Sequence, residues 1–128
     1  MKVLMDTHTA LWMVNEHEKL LPSAKALLLD DEHELFISIV SFWEMAIKVS
    51  LGKLSKLNGG VSEFLSIIEN MPIEILPISS THIKIIESLP FIHRDPFDRM
   101  IVAAAMANDM TILTADSNIP KYNAPCIW

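Results

Sequence analysis

Apolar residues along the chain come in short dense bursts, separated by longer stretches in which they recur every third or fourth position. That is the signature of strands alternating with amphipathic helices. The first burst, residues 2–6, runs through Val3, Leu4 and Met5 into an acid, Asp6. The Thr7-His8-Thr9 segment after it leads into a helical pattern through Leu11, Trp12 and Val14. Pro22 and Ser23 introduce a second helix over 24–29, and the Ile- and Phe-rich run 35–39 reads as the next strand. Ser41 starts a third helix reaching about Leu51, with Phe42, Ala46, Ile47 and Ser50 on or near one face and Gly52 stopping it.

Asn58, Gly59 and Gly60 form the most flexible connection. Residues 61–71 are predicted helical, 73–78 strand-like despite Pro77, and Ser80 caps another helix reaching about Leu89. Residues 91–96 must be loop. From 97 to 108 the small and apolar residues Ile101, Val102, Ala104, Ala105 and Met106 make a helix apolar nearly all round, which predicts burial. A strand over 111–114, a turn over 116–118 and a terminal edge strand over 125–128 complete the reading.

Strands separated by helices predict an α/β fold, a three-layer α/β/α sandwich around a mostly parallel central sheet. In such sheets ligands gather at the carboxyl ends of the strands. The chain has 128 residues, 51% of them hydrophobic and 20% charged. These suit a single domain over 1–128 with a real core.

Charge narrows the function classes. Ten Lys and Arg against sixteen Asp and Glu give a net charge of −6, which opposes broad, sequence-independent attraction to a phosphate backbone. A nucleic-acid partner must then be held locally, by metal ions or a small basic rim. The longest apolar run, residues 100–107, is far short of the roughly 20 residues of a membrane span. No span or signal peptide is expected. Cys126 stands alone, so no intrachain disulfide forms; a cytoplasmic protein with a buried, inert thiol is expected.

Four acids fall where ligands should gather. Asp6 closes the first strand, Asp116 follows the strand over 111–114 by two residues, Glu44 sits in the first turn of the helix begun by Ser41, and Asp98 opens the helix after Pro96. Each has a plain structural use: a capping box over Ser41 to Glu44, dipole complementarity at Asp98, a turn at Asp116. Asp6 is harder to dismiss, because a carboxylate at the end of a central strand is costly unless paired or ligated. If the four converge, each close pair at about 5 Å repels by roughly 3 kcal/mol at an effective dielectric of 20, and a counter-charge is required. Carboxylate oxygens without a Cys or His cluster select Mg²⁺ or Mn²⁺ over Zn²⁺. Phosphodiester hydrolysis by an activated water follows, with Asp98 or Asp116 placed to orient or deprotonate it.

Five segments in order, Met5-Asp6-Thr7-His8-Thr9, Ser41 to Lys48 (SFWEMAIK), Gly52-Lys53-Leu54, His93 to Arg99 (HRDPFDR) and Leu113-Thr114-Ala115-Asp116, together resemble the PIN-domain ribonucleases of the VapC toxin type. The closing Pro125-Cys126-Ile127-Trp128 also resembles that family's last strand. The resemblance implies a PIN-like three-layer fold, an acidic Mg²⁺ or Mn²⁺ site on Asp6, Glu44, Asp98 and Asp116, endonucleolytic cleavage of RNA, and a cognate antitoxin protein that neutralises the toxin. It also implies a homodimer and an apolar groove for an antitoxin helix. Asp95 matches the subgroup's loop as a supporting or capping residue. Ala115 departs from the many relatives with a basic residue before the last acid, which removes a phosphate contact there.

Lys48, Lys53, Lys56, Arg94 and Arg99 are candidates for the basic rim, with Arg94, Arg99 and Lys48 favoured to contact RNA. Trp12, Trp43 and Phe42 are expected to pack rather than stack on bases, and Trp43 to point away from Glu44. His8 and His93 lack zinc-ligand spacing and are expected to hydrogen-bond. Leu11, Trp12, Met13, Leu27 and Leu28 exceed what one small core needs, which suits a partner groove. Two other classes compete: a metal-dependent phosphatase with Asp6 as covalent nucleophile, and a non-catalytic metal-binding interaction module. The phosphatase would want a second carboxylate two residues on, where His8 stands.

Overall fold

The computed structural model describes residues 1–55, 57 and 59–128; the expectations at Lys56 and Asn58 lie outside these. Strands β1 (Lys2–Met5), β2 (Glu34–Ser38), β3 (Ile73–Leu76), β4 (Thr111–Leu113) and β5 (Cys126–Ile127) form a sheet in the order β3-β2-β1-β4-β5, and every pairing is parallel. Helices α1 (Thr7–Asn15) and α2 (Pro22–Leu29) connect β1 to β2, and α3 (Ile39–Ser50) and α4 (Gly60–Glu69) connect β2 to β3. Helices α5 (Ser80–Ser88) and α6 (Pro96–Asn108) carry the chain back across the sheet to β4. The α/β/α architecture with a parallel sheet is thus as expected.

Strand alternation sorts the core into two layers. Val3, Met5, Ile37, Ile73 and Leu113 pack with residues of α1 to α4, including Ala10, Leu27, Phe42, Met45, Phe64 and Ile68. Leu4, Phe36 and Ile112 face the other way, onto Leu89, Ile101, Val102, Ala104, Ala105 and Tyr122. Helix α6 is buried along Ile101 to Ala105 as its composition predicts, although Met106 is exposed. The order of travel matters most for function: from β1 the chain goes outward through β2 and β3, then returns to β4 on the opposite side of β1. The carboxyl ends of β1 and β4 therefore flank a topological switch point, where an open α/β sheet leaves a crevice.

Local boundaries correct several expectations. Helix α3 is capped by Ser38, whose side chain accepts from the Val40 N–H, and not by Ser41. The strand thus passes into the helix without a loop, and the capping box over Ser41 to Glu44 does not form. Gly52 at φ +70 follows the last turn of α3, as its lack of a Cβ allows. β3 ends at Leu76, before Pro77, which has no N–H to give to a ladder. Ser79 rather than Ser80 caps α5, in a capping box with buried His82. Short 3₁₀ turns at His17–Lys19 and Ile119–Tyr122 were not anticipated. Among the described residues no helix is long and apolar enough to cross a membrane.

Candidate active site

Asp6 follows β1 directly and is the N-cap of α1, with its Oδ1 accepting from the Thr9 N–H at 2.8 Å. It is 3% exposed. Its own N–H donates to the Leu113 carbonyl at 3.2 Å, extending the β1–β4 register by one residue. That places Asp6 beside Thr114, whose hydroxyl donates to Asp6 Oδ2 at 2.5 Å and accepts from the Asp116 N–H at 3.0 Å. Thr9 is tied to the same strand end, its hydroxyl donating to the Leu113 carbonyl at 3.0 Å. Thr114 lies just beyond β4, its N–H still donating to the Ile127 carbonyl at 3.1 Å, and its hydroxyl links the Asp6 carboxylate to the Asp116 backbone.

Asp116 turns the chain as expected, with Oδ1 accepting the Asn118 N–H at 2.6 Å and the Ile119 N–H at 3.3 Å. Asp6, His8, Trp12, Ala115 and Asp116 line one cleft of about 210 Å³. Trp12 is braced from behind by an edge-on contact with Trp128, ring centroids 5.8 Å apart. His8 is exposed at the mouth of this cleft.

Asp98 is in the first turn of α6, which Asp95 caps by accepting the Phe97 and Asp98 N–H groups at 2.9 and 3.0 Å. The capping role expected of Asp95 is therefore real. Burial pushes the Asp98 carboxyl up to about 6 from 3.8; the bond from His93 opposes this, and the charges of Asp95, Asp116 and Asp6 add to it. Asp6, Asp98 and Asp116 thus form one electrostatic cluster.

Glu44 stands apart from this cluster: it neither lines the Asp6–Asp116 cleft nor is among the charges acting on Asp98. It lies in the second turn of α3 rather than the first, so it gains no help from the helix N-terminus. Ser41, one turn before it on the same face, accepts the Thr7 hydroxyl at 2.9 Å, tying α3 to the start of α1. Trp43 and Phe97, which precede Glu44 and Asp98, meet edge to face at 5.3 Å and bring α3 to the first turn of α6. Trp43 is nevertheless 59% exposed. Glu44 is 3% exposed; its Oε2 pairs with Lys48 at 2.8 Å, and its buried Oε1 has no hydrogen-bond partner.

The basic candidates separate. Lys48 is held by Glu44, and Arg94 is exposed. Arg99 does not join a rim: it is 8% exposed, with Nη1 donating to the Pro90 carbonyl at 2.9 Å and the guanidinium 4.8 Å from the Phe91 ring. Its stem leaves α6 on the core side, so burial claims the charge that a phosphate would need. Cys126 is only half-buried; burial and the charge of Asp6 push its thiol up, which suits an inert group. Thr7, Thr9, Ser41 and Tyr122 support the site and were not singled out from the sequence. Their signal is long-range pairing, which periodicity does not reveal.

Among the described residues no three His, Cys, Asp or Glu side chains are already closed around a point that could hold a metal ion. The donor chemistry nonetheless suits a hard divalent cation. Among the described residues one buried carboxylate oxygen, Glu44 Oε1, is unpartnered, and the Asp98 carboxyl is raised by burial first and by neighbouring aspartates second, with only His93 opposing.

Comparison with known proteins places the fold and the family. Ribonuclease VapC22 of Mycobacterium tuberculosis (strain ATCC 25618 / H37Rv) is 25% identical over 125 residues, covering 96% of this chain and 93% of that protein. The crystal structure of VapBC2 from Rickettsia felis bound to a DNA fragment from their promoter matches with a TM-score of 0.76 at 20% identity, over 99% of this chain and 98% of that one. FitAcB from Neisseria gonorrhoeae matches at 0.70 and 19% identity, over 98% and 96% of the two chains. These structural likenesses establish the fold. A family model for the PIN domain matches residues 3–125, nearly the whole length, and the chain belongs to the PIN domain family.

Proposed function

We propose that this chain is a divalent-metal-dependent endoribonuclease, the toxin of a toxin–antitoxin pair, working in the cytoplasm as one domain over residues 1–128 and as a homodimer. The observation that carries the reading is the crowding of aspartates at the switch point. Asp98 is raised to about 6 by burial and by three neighbouring aspartates, while Glu44 keeps a bare buried oxygen. A fold does not maintain such a cluster for stability, since buried carboxylates cost free energy without a counter-charge. The ribonuclease name of the VapC22 relative and the VapBC and FitAcB structures support the substrate and partner classes.

Asp6, Glu44, Asp98 and Asp116 would hold Mg²⁺ or Mn²⁺, with Asp6 and Asp116 as the more firmly oriented pair. When bound, the ion supplies counter-charge to the scissile phosphate and acidity to a water molecule. Thr114 fixes the separation of Asp6 and Asp116 through one hydroxyl. Asp116, in the cleft wall and open to solvent on one side, is positioned to accept a proton from the attacking water. Arg94, exposed on the loop before α6, is the remaining basic candidate for a backbone phosphate, and Lys48 is freed for that role only if Glu44 turns to the ion. For the antitoxin, a second cleft of about 280 Å³ offers an apolar floor of Leu11, Leu54 and Leu57 with a mixed polar rim, Lys53 and the Lys19–Glu16 ion pair.

The phosphatase reading fares worse. Both Asp6 oxygens already accept hydrogen bonds, and the side chain is nearly inaccessible, which suits a ligand better than an in-line nucleophile. The test is incubation of purified protein, freed of any co-purifying antitoxin, with RNA and Mg²⁺ or Mn²⁺. Cleavage lost on adding EDTA and lost in Asp6→Asn is expected. Cleavage that persists in Asp6→Asn would overturn the assignment, and none by the free protein would favour a binding module.

A further inference from the structure

Arg99, Tyr122 and His93 form a chain of polar groups that ends on Asp98, and the bonding capacity of one phenol sets its direction. A tyrosine hydroxyl has one proton to donate and two lone pairs with which to accept. Here the Tyr122 oxygen receives the His93 backbone N–H at 3.1 Å and an Arg99 Nη1–H at 3.3 Å, two groups that only donate. With both lone pairs engaged, the phenol must donate to its remaining neighbour. His93 Nδ1 stands 2.6 Å away, against 3.4 Å for the alternative acceptor, the His93 carbonyl. A neutral imidazole that accepts at Nδ1 carries its own proton on Nε2. Nε2 faces Asp98 Oδ2 at 3.2 Å. The opposite tautomer would press a third N–H onto the phenol oxygen and turn a lone pair toward the carboxylate.

The far end of the chain is anchored. Arg99 is held by the carbonyls of Pro90 and Leu89 and lies 4.8 and 5.9 Å from the Phe91 and Tyr122 rings. It follows Asp98 directly in α6, so the helix that presents the acid also carries the group that starts the chain. Asp6 is oriented by the Thr9 N–H of α1 and the Thr114 hydroxyl, and Asp116 by the Asn118 and Ile119 N–H groups of the turn after it; Asp98 receives its orienting side-chain bond from the loop before its helix.

We infer that His93 is a positioning residue. Held as the Nε2–H tautomer by Tyr122 and Arg99, it donates to Asp98 Oδ2 and fixes the direction in which that carboxylate offers its other lone pairs to a divalent cation. The tautomer stands on the protein's own hydrogen bonds, whereas the role toward the cation rests on the reading of the site as a metal centre.

Nitrogen-detected NMR of the metal-free wild-type protein, at a pH where its spectrum shows a neutral ring, reads the tautomer without any substitution. A bare Nδ1 and a protonated Nε2 on His93 are expected, with the two forms mixing in Tyr122→Phe; a protonated Nδ1 in the wild type overturns the inference. Calorimetric titration with Mn²⁺ reads the second half: His93→Leu should bind about tenfold more weakly, and His93→Gln, whose amide N–H replaces the Nε2 donor, should recover most of the loss. Equal Mn²⁺ affinity in wild type and His93→Leu refutes the positioning role and leaves the metal centre standing. No Mn²⁺ binding by the wild type refutes both.

Discussion

Strands β1 and β4 run through hydrocarbon and give way to polar residues at their carboxyl ends. Val3, Leu4, Met5, Ile112 and Leu113 are wholly buried between two apolar layers, yet the next residues along, Asp6 and Thr114, open a buried polar stratum that also holds Thr7, Thr9, Ser38, Ser41 and Glu44. The first region is what any sheet needs, since burial of apolar area drives folding. The second is what folding alone would remove, because each buried carboxylate must find donors or a cation. The contrast shows where function is to be sought: Asp6 is kept out of water at the edge where the topology leaves a crevice, with Asp116 beside it.

Substitutions four residues apart, one in the middle of β4 and one three residues past its carboxyl end, should have opposite signatures. Asp116→Asn keeps an oxygen for the Asn118 and Ile119 N–H groups, so stability should hold, while RNA cleavage falls on the order of 10³-fold, about 4 kcal/mol in the barrier. Ile112→Ala should do the reverse: about 3 kcal/mol lost in urea unfolding, with the folded fraction cleaving at the wild-type rate. Equal loss of activity from both would erase the distinction between the two regions.

The Asp98 carboxyl supplies a pH test. Its folded value of about 6 lies above the ordinary 3.8, so between them the folded state holds a proton that the unfolded state releases. The metal-free protein should therefore lose stability as pH rises from about 4 to about 6, on the order of 2 kcal/mol at completion. Asp98→Asn should flatten that slope and raise the melting temperature of the metal-free protein near neutrality. A smaller effect is expected at Lys48→Met, about 1 kcal/mol, because the ion pair with Glu44 is partly open to solvent. Mn²⁺ should reduce that loss by supplying Glu44 with another positive partner, as thermal melts with and without the ion would show.

Much of the sheet and its helices is legible in the sequence because each depends on a local period. The apolar Ile101 to Ala105 stretch and the bursts at Val3 to Met5 and Phe36 to Ile37 say where burial falls. Caps are less legible: Ser38 and Ser41 are chemically alike, and only the passage of β2 straight into α3 decides between them. Among the site acids, Asp6 and Asp116 are legible because strand ends place them, and Asp98 because it follows Pro96 in a helix start. Glu44 is legible as a helical acid but not in its turn of α3, and its ion pair with Lys48 one turn on is local while the Thr7–Ser41 bond that ties α3 to α1 is not. Arg99 looked like a surface charge because the Leu89 and Pro90 carbonyls and the Tyr122 phenol that claim it lie 9 to 23 positions away.

Anomalous diffraction from crystals grown with Mn²⁺ tests the central claim most directly. The account predicts a peak at the carboxyl ends of β1 and β4, within coordination distance of Asp6 and Asp116 and with Asp98 and Glu44 turned toward it, and its disappearance in Asp6→Asn. Ordered side chains with no peak there, or a peak held by other residues, would contradict it.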